Sequence, residues 1–139
     1  MSNTNWIFAL LPKVFTKVKT EFSQTIKDKY SMTAKNFSTE DAMNVKPVFP
    51  FVWIQQISCQ EVGNDIDNTD INAVNVTFQI ETYDSDSASK AKECMTEAMR
   101  IMKSMRFNVL PDSLISTKDD GLHRVVMRFS RIIAYNDII

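Results

Sequence analysis

The chain has 139 residues, of which 44% are hydrophobic and 24% charged, and its net charge is −1. These values are typical of one globular domain with its own core, and they argue against disorder and against a coiled coil. An isoelectric point near 5.8 argues against general nucleic-acid binding, which needs a basic face to displace counterions from phosphates. We therefore expect a single soluble domain over residues 1–139.

The N-terminal apolar run "WIFALL" is six residues long, too short for a transmembrane helix, and it lacks the basic leader and cleavage site of a secretory signal. Cys59 and Cys94 lie outside any CxxC motif, and the chain has one histidine. Disulfide frameworks and zinc sites need more ligands than this. We expect no cleaved leader, two reduced thiols and no metal or other cofactor.

The first half of the chain predicts one helix and two strands. Apolar residues at helical spacing after Pro12 predict helix one over Pro12–Tyr30. The aromatic and β-branched run after Pro50 predicts a strand of about ten residues. One face of this strand is expected to carry Phe51, Trp53, Gln55, Ile57 and Cys59. The run "INAVNVTFQIETY" predicts strand two, with Val74, Val76, Phe78 and Ile80 on its apolar face and Asn75, Thr77, Gln79 and Glu81 on its polar face.

The second half predicts a helix followed by two more strands. Alanines and methionines at helical spacing predict helix two over Ser87–Met105. The run "RFNVLPDSLIS" predicts strand three, Asp120-Gly121 predicts a hairpin turn, and "LHRVVMRFSRIIAY" predicts strand four. The order α-β-β-α-β-β predicts an α+β fold: a four-stranded, mainly antiparallel sheet with two helices packed on one face.

No catalytic motif is present. The chain contains no GxSxG, P-loop, GxGxxG or HExxH, and its two glycines are too few to build a phosphate-binding loop. Asp65, Asp67 and Thr69 alternate like the first ligands of a calcium loop, but Asp70 occupies the required glycine position and Val76 the position of the bidentate glutamate. We expect neither calcium binding nor enzymatic activity.

The charges are unevenly distributed along the chain. Residues 59–86 hold seven acids and no base, whereas residues 90–131 hold nine bases against five acids. Gly63-Asn64 predicts a turn, so the first two strands form a hairpin with an acidic tip that contains Glu61, Asp65, Asp67 and Asp70. Such a tip is either a solvated loop or a surface that faces a partner.

Four blocks of the sequence resemble the tail-terminator proteins of long-tailed bacteriophages, which are also called tail-completion or head-tail joining proteins. The blocks are "FPFVWIQQIS", "GNDIDNTDINAVNVTFQIETYD", "IMKSMRFNVL" and "MRFSRIIAYND", and the similarity runs from about Pro47 to the C-terminus. Helix one matches only in position and amphipathic character. Neck and minor tail proteins of the same viruses are the nearest alternatives.

The resemblance implies a structural virion protein in the neck region of the tail, made in the host cytoplasm. It implies a homohexameric ring that caps the tail tube, ends its growth and contacts the head connector, with a lumen through which genomic DNA passes without sequence-specific binding. The other partners it implies are the tail tube protein and the head-completion protein, and no membrane.

Two roles remain open for the acids of the hairpin tip. They repel DNA phosphates in the lumen, or they pair with bases across the subunit boundary. The candidates for the subunit interface are the polar face of strand two and four bases: Asn75, Thr77, Gln79, Glu81, Arg100, Lys103, Arg124 and Arg128. A small-molecule-binding regulatory domain is the alternative from a different functional class, because α+β sheets of this size often bind ligands.

Overall fold

The computed structural model describes residues 5–40, 48–63, 71–110 and 121–139, and the backbone alone of residues 115–119. A 3-10 helix at Asn5–Ala9 leads into α1 (Leu10–Glu21), which is followed by α2 (Gln24–Lys29) and a second 3-10 helix at Ala34–Asn36. The strands and the remaining helix follow in the order β1 (Phe37–Ser38), β2 (Phe51–Glu61), β3 (Ala73–Asp84), α3 (Ala88–Ser104), β4 (Asn108–Val109), β5 (Ile115–Asp119) and β6 (Leu122–Ala134). The predicted α+β class is confirmed.

The strands that the structure describes form one six-stranded sheet. Its order is β1-β2-β3-β6, with β4 and β5 both pairing along the far side of β6. All pairs are antiparallel except β1 with β2, which is parallel and two residues long. The prediction of four strands was therefore too low: β1 was missed, and predicted strand three is two short strands. Pro111 lies in the sequence between β4 and β5, and a proline cannot donate a backbone hydrogen bond to a ladder.

The core lies between one face of the sheet and the helices α1 and α3. Val74, Val76, Phe78 and Ile80 of β3 all face this core and are buried, as their alternation predicted. The helices contribute the buried apolar residues of their inner faces: Leu10, Val14, Val18, Ala91, Cys94, Met95, Ala98, Ile101 and Met102. The prediction of two helices was too low, because the described chain has three, but α1 and α3 do pack on one face of the sheet. The opposite face, called here the outer face, carries no helix among the described residues.

Predicted helix one is interrupted. The prediction of one helix over Pro12–Tyr30 was wrong, because Phe22 and Ser23 adopt extended backbone angles between α1 and α2. Phe22 is buried in the core, and the backbone N–H of Ser23 donates to the Glu97 carboxylate of α3 at 2.7 Å. This bond from another helix replaces the carbonyl acceptor that a continuous helix would supply.

Predicted helix two is confirmed within one residue at each end. Ser87 precedes α3 as its N-cap, and its hydroxyl accepts from the backbone N–H of Lys90 at 3.4 Å. The carboxylate of Asp84, at the end of β3, accepts from the backbone N–H groups of Asp86 and Ser87. The serine and acid residues before α3 therefore stabilise its start, as their sequence positions predicted.

The face assignment of β2 changes at a bulge. Gln56 lies opposite Phe78 and Ser58 lies opposite Thr77, so Ile57 has no opposite residue in β3. The extra residue shifts the alternation by one. Phe51, Trp53 and Gln55 share the outer face as predicted, but Cys59 points to the helix side, where it packs against the core.

Candidate assembly surfaces

The outer face of the sheet carries a closed hydrogen-bond network around Glu81. Arg124 of β6 donates to Oε1 of Glu81 from Nε at 2.6 Å and from Nη2 at 2.5 Å, and the Tyr83 hydroxyl donates to the same oxygen at 2.8 Å. The side-chain amides of Gln55 and Gln79 donate to Oε2 at 2.8 and 3.0 Å. These residues come together because the strand register sets Gln55 opposite Gln79 and Arg124 opposite Tyr83.

Glu81 is thus not the wettable interface residue that its alternation predicted. Its exposed fraction is 1%, although it lies on the outer face. Buried carboxylates need partners for both oxygens, and here four side chains supply them. Burial and the hydrogen bond to Glu81 raise the pKa of Tyr83 to about 12, so the phenol stays a neutral donor. The network is complete within one chain.

The remaining polar positions of β3 are more accessible. Asn75 is exposed and Thr77 is half-buried, and their cross-strand neighbours on β6 are Ile132 and Ser130. Ile132 is 56% exposed. This end of the outer face is accessible to another molecule, whereas the polar groups around Glu81 already have hydrogen-bond partners within the chain.

The four predicted interface bases do not form one cluster. Arg124 and Arg128 lie on the outer face, where Arg128 donates to the side-chain carbonyl of Gln79 at 2.8 Å. Arg100 and Lys103 lie on α3, on the opposite side of the sheet. Arg100 binds the Glu97 carboxylate through Nε at 2.8 Å and Nη2 at 2.6 Å, and Lys103 is exposed. Three of the four bases therefore have acceptors within the chain.

The Arg100–Glu97 pair also fixes the break between α1 and α2. Hydrogen bonds from Arg100 and from the backbone of Ser23 hold the pKa of Glu97 below its usual value, in opposition to its burial. Arg100 further donates to the carbonyl of Glu21, the last residue of α1, at 3.2 Å. This base has a structural role that sequence reasoning missed.

The acidic tip is described only at its base. Glu61 ends β2 and is exposed, whereas Asp65, Asp67 and Asp70 lie outside the described residues, as does Thr69 of the calcium-like run. The prediction that these acids face a lumen, a tube or a neighbouring subunit therefore stays a prediction.

Two further features were not predicted. The outer edge of β2 has no strand partner from Ile54 to Glu61 in the part of the chain that the structure describes, because β1 pairs only with Val52 and Trp53. Beside this edge lies a groove of about 510 Å³, formed by the N-terminal segment and the hairpin strands. It is lined by Ile7, Phe8, Leu11, Gln56, Cys59, Glu61, Ile71 and Val74.

The local sequence of β2 gives no signal for this edge. Nothing local predicts the groove, because its walls come from three segments that are distant in sequence. Among the described helices, none has the length and apolar character needed to cross a membrane.

No family model and no curated protein sequence matches the chain. Among solved structures, the chain is similar to one described as "F78L Tt H-NOX", with 11% sequence identity and a TM-score of 0.26. The similarity covers 97% of this chain and 57% of that chain, so this chain spans a little over half of that protein's length. A TM-score this low carries no argument about fold or function.

Proposed function

We propose that the chain is a structural tail-terminator protein of a long-tailed bacteriophage. In this proposal, six copies form a ring that caps the tail tube, ends its polymerisation and joins the tail to the head connector, with DNA passing through the lumen. The sequence blocks quoted above are the source of the proposal, and the geometry of the sheet supports it.

The observation that carries the proposal is the unpaired edge of β2. From Ile54 to Glu61, every second residue directs its backbone N–H and C=O away from β3, and no described strand accepts them. Exposed edges of this length are normally blocked or paired, because they otherwise join other chains indiscriminately. Pairing with another copy uses these groups in a defined way.

The two ends of the sheet are different, which bears on the symmetry of assembly. One end is β2 with its short partner β1, and the other is β6 with β4 and β5. Contact between unlike ends of identical chains is heterologous, and it produces a closed ring when the rotation between copies closes. A ring is what the proposed function requires.

One pair of opposite charges is compatible with the same arrangement. Glu61 ends β2 and begins the stretch of acids without a base, whereas the exposed base Arg106 directly precedes β4 at the other end, where the sequence also holds Asp112, Asp119 and Asp120. Contact between Glu61 and Arg106 would favour head-to-tail over head-to-head association. Acids that are not used at the boundary are available to repel DNA in the lumen.

The proposal is tested by imaging the purified chain, alone and mixed with tail tubes from the virus that encodes it. Negative-stain images are expected to show rings with a central hole, either free or at one end of the tubes. A monodisperse monomer in both samples whose melting temperature rises with a metabolite would instead identify a ligand-binding regulatory domain.

The role of the acidic tip is tested separately with the triple variant Asp65→Asn, Asp67→Asn and Asp70→Asn. Native mass spectrometry reports whether the hexamer persists. An intact hexamer excludes the version in which these acids pair across the boundary, and dissociation to monomer excludes the version in which they serve the lumen alone.

A further inference from the structure

The groove beside β2 has one apolar wall that no other part of the described chain covers. This wall belongs to the N-terminal segment, where Ile7 and Leu11 pack partly against the core and Phe8 is 80% exposed. The segment is held in place by Trp6, whose indole N–H donates to the carbonyl of Ile71 at 3.3 Å and whose ring packs edge-on against Tyr135. Phe8 is therefore an exposed aromatic side chain on an anchored segment.

The opposite wall is β2 itself. Gln56, Cys59 and Glu61 line the groove. Gln56 precedes the bulge and faces the helix side opposite Phe78, and the bulge at Ile57 places Cys59 and Glu61 on the same side. The same residues form the unpaired edge. A strand that pairs with this edge directs every second side chain to the helix side of the sheet, which places those side chains over the groove and against Phe8. Edge and groove are thus parts of one surface.

The charge of this surface limits what binds it. Among the described residues, Glu61 is the one charged residue that lines the groove, and it begins a stretch of the sequence with acids and no base. An occupant therefore needs an unpaired strand edge, apolar side chains and basic residues.

We infer that this surface binds the β4–β6 end of a second copy of this chain, an inference that rests on the proposed ring. At that end β4 and β5 lie along β6, and two exposed bases lie near β4: Lys103 near the end of α3 and Arg106 just before β4. Phe8 supplies the apolar contact, β2 supplies the backbone pairing, and Glu61 faces the bases. Each copy offers both surfaces, so the contact repeats around a ring.

The inference is tested with three variants of exposed residues, which leave the core of the chain intact. Phe8→Ser removes the aromatic wall, and Glu61→Arg reverses the charge of the groove. Ile138→Ser is the matched control, since Ile138 is 83% exposed and lines no part of this groove. Circular dichroism melting confirms that each variant is folded. Sedimentation velocity over a wide range of protein concentration, and ring counts on tail tubes, measure association.

We expect Phe8→Ser and Glu61→Arg each to weaken association at least about tenfold, the effect of removing a central aromatic or charged contact from an interface. Ile138→Ser is expected to associate like the original chain. Rings that form equally well with all three variants would overturn the inference and leave the proposed function standing. A chain that stays monomeric at every concentration and on tail tubes would overturn both.

Discussion

Replacing Glu81 with glutamine perturbs the outer face at its most buried polar residue. The substitution keeps the size of the side chain but removes its charge and turns one acceptor oxygen into an NH2 group. With the new carbonyl oxygen towards Arg124 and Tyr83, the new NH2 group faces the donor amides of Gln55 and Gln79, which approach at 2.8 and 3.0 Å. The amides of Gln55 and Gln79 then face another donor, and neither forms a hydrogen bond with it.

The amides repair this conflict only in part. Gln55 is able to rotate its amide, but rotation of Gln79 would break its bond from Arg128. Hydrogen bonds to a charged group contribute about 1.5–3 kcal/mol each and neutral ones about 0.5–1.5 kcal/mol, so the Arg124 bonds also weaken. The Arg124 side chain is 37% exposed, and water therefore compensates for some of the loss. We expect a decrease of about 2–3 kcal/mol in the free energy of unfolding.

Urea denaturation followed by tryptophan fluorescence measures this value, at a single protein concentration so that association does not differ between samples. For 139 residues the entropy of unfolding is about 0.3 kcal/mol per degree, so the same loss lowers the melting temperature by about 7–10 °C. Glu40→Gln is the control, because it makes the same chemical change at an exposed carboxylate, where we expect less than about 0.5 kcal/mol. Equal midpoints for the two variants would refute the closed network around Glu81.

Three other predictions follow from single contacts. Glu97→Ala removes the acceptor of the Ser23 backbone N–H and should lower the free energy of unfolding by about 2 kcal/mol. Hydrogen exchange at Ser23 should become faster, and an unchanged exchange rate would rule out this hydrogen bond. A thiol reagent at about pH 8 should label Cys59 and spare Cys94 in the folded chain, because burial raises the pKa of Cys94 to about 12; equal labelling rates would count against this packing. Because the pKa of Tyr83 is raised, its contribution to stability is complete below pH 10 and declines as the pH rises towards 12. Tyr83→Phe should therefore reduce the fall of the urea midpoint at alkaline pH. Parallel curves of midpoint against pH for the two proteins would contradict the burial of this phenol.

The elements that were predictable from the sequence are those whose determinants are local. The alternation of Val74, Val76, Phe78 and Ile80 predicted β3. Helical spacing of apolar residues, with Ser87 before it, predicted α3. Both depend on residues within one element, where a period of 2 or 3.6 is directly readable.

The features that were not predictable depend on residues distant in sequence. The break at Phe22 and Ser23 is stabilised by Glu97, 74 residues further along the chain. The burial of Glu81 depends on Gln55 and Arg124, each on a different strand, so its place in a polar alternation was misleading. In each case a tertiary contact outweighed the local pattern.

The candidate assembly surfaces were also predictable only in part. Charge counting located the acidic tip, but it gave no information about which bases already have partners. Arg100 and Arg124 bind acids within the chain, which follows only from the packing of α3 and the register of β6. The groove needs Phe8, Cys59 and Ile71 to meet, and these residues have no common pattern in the sequence.

The central claim is that copies of this chain join through unlike ends of the sheet and close into a ring. Native mass spectrometry of the purified chain, alone and after release from capped tail tubes, tests this most directly. We predict a species of about 96 kDa, six times the 16.0 kDa mass of one chain. A 16.0 kDa monomer in both samples, or a two-fold dimer that gains no further subunits, would contradict it.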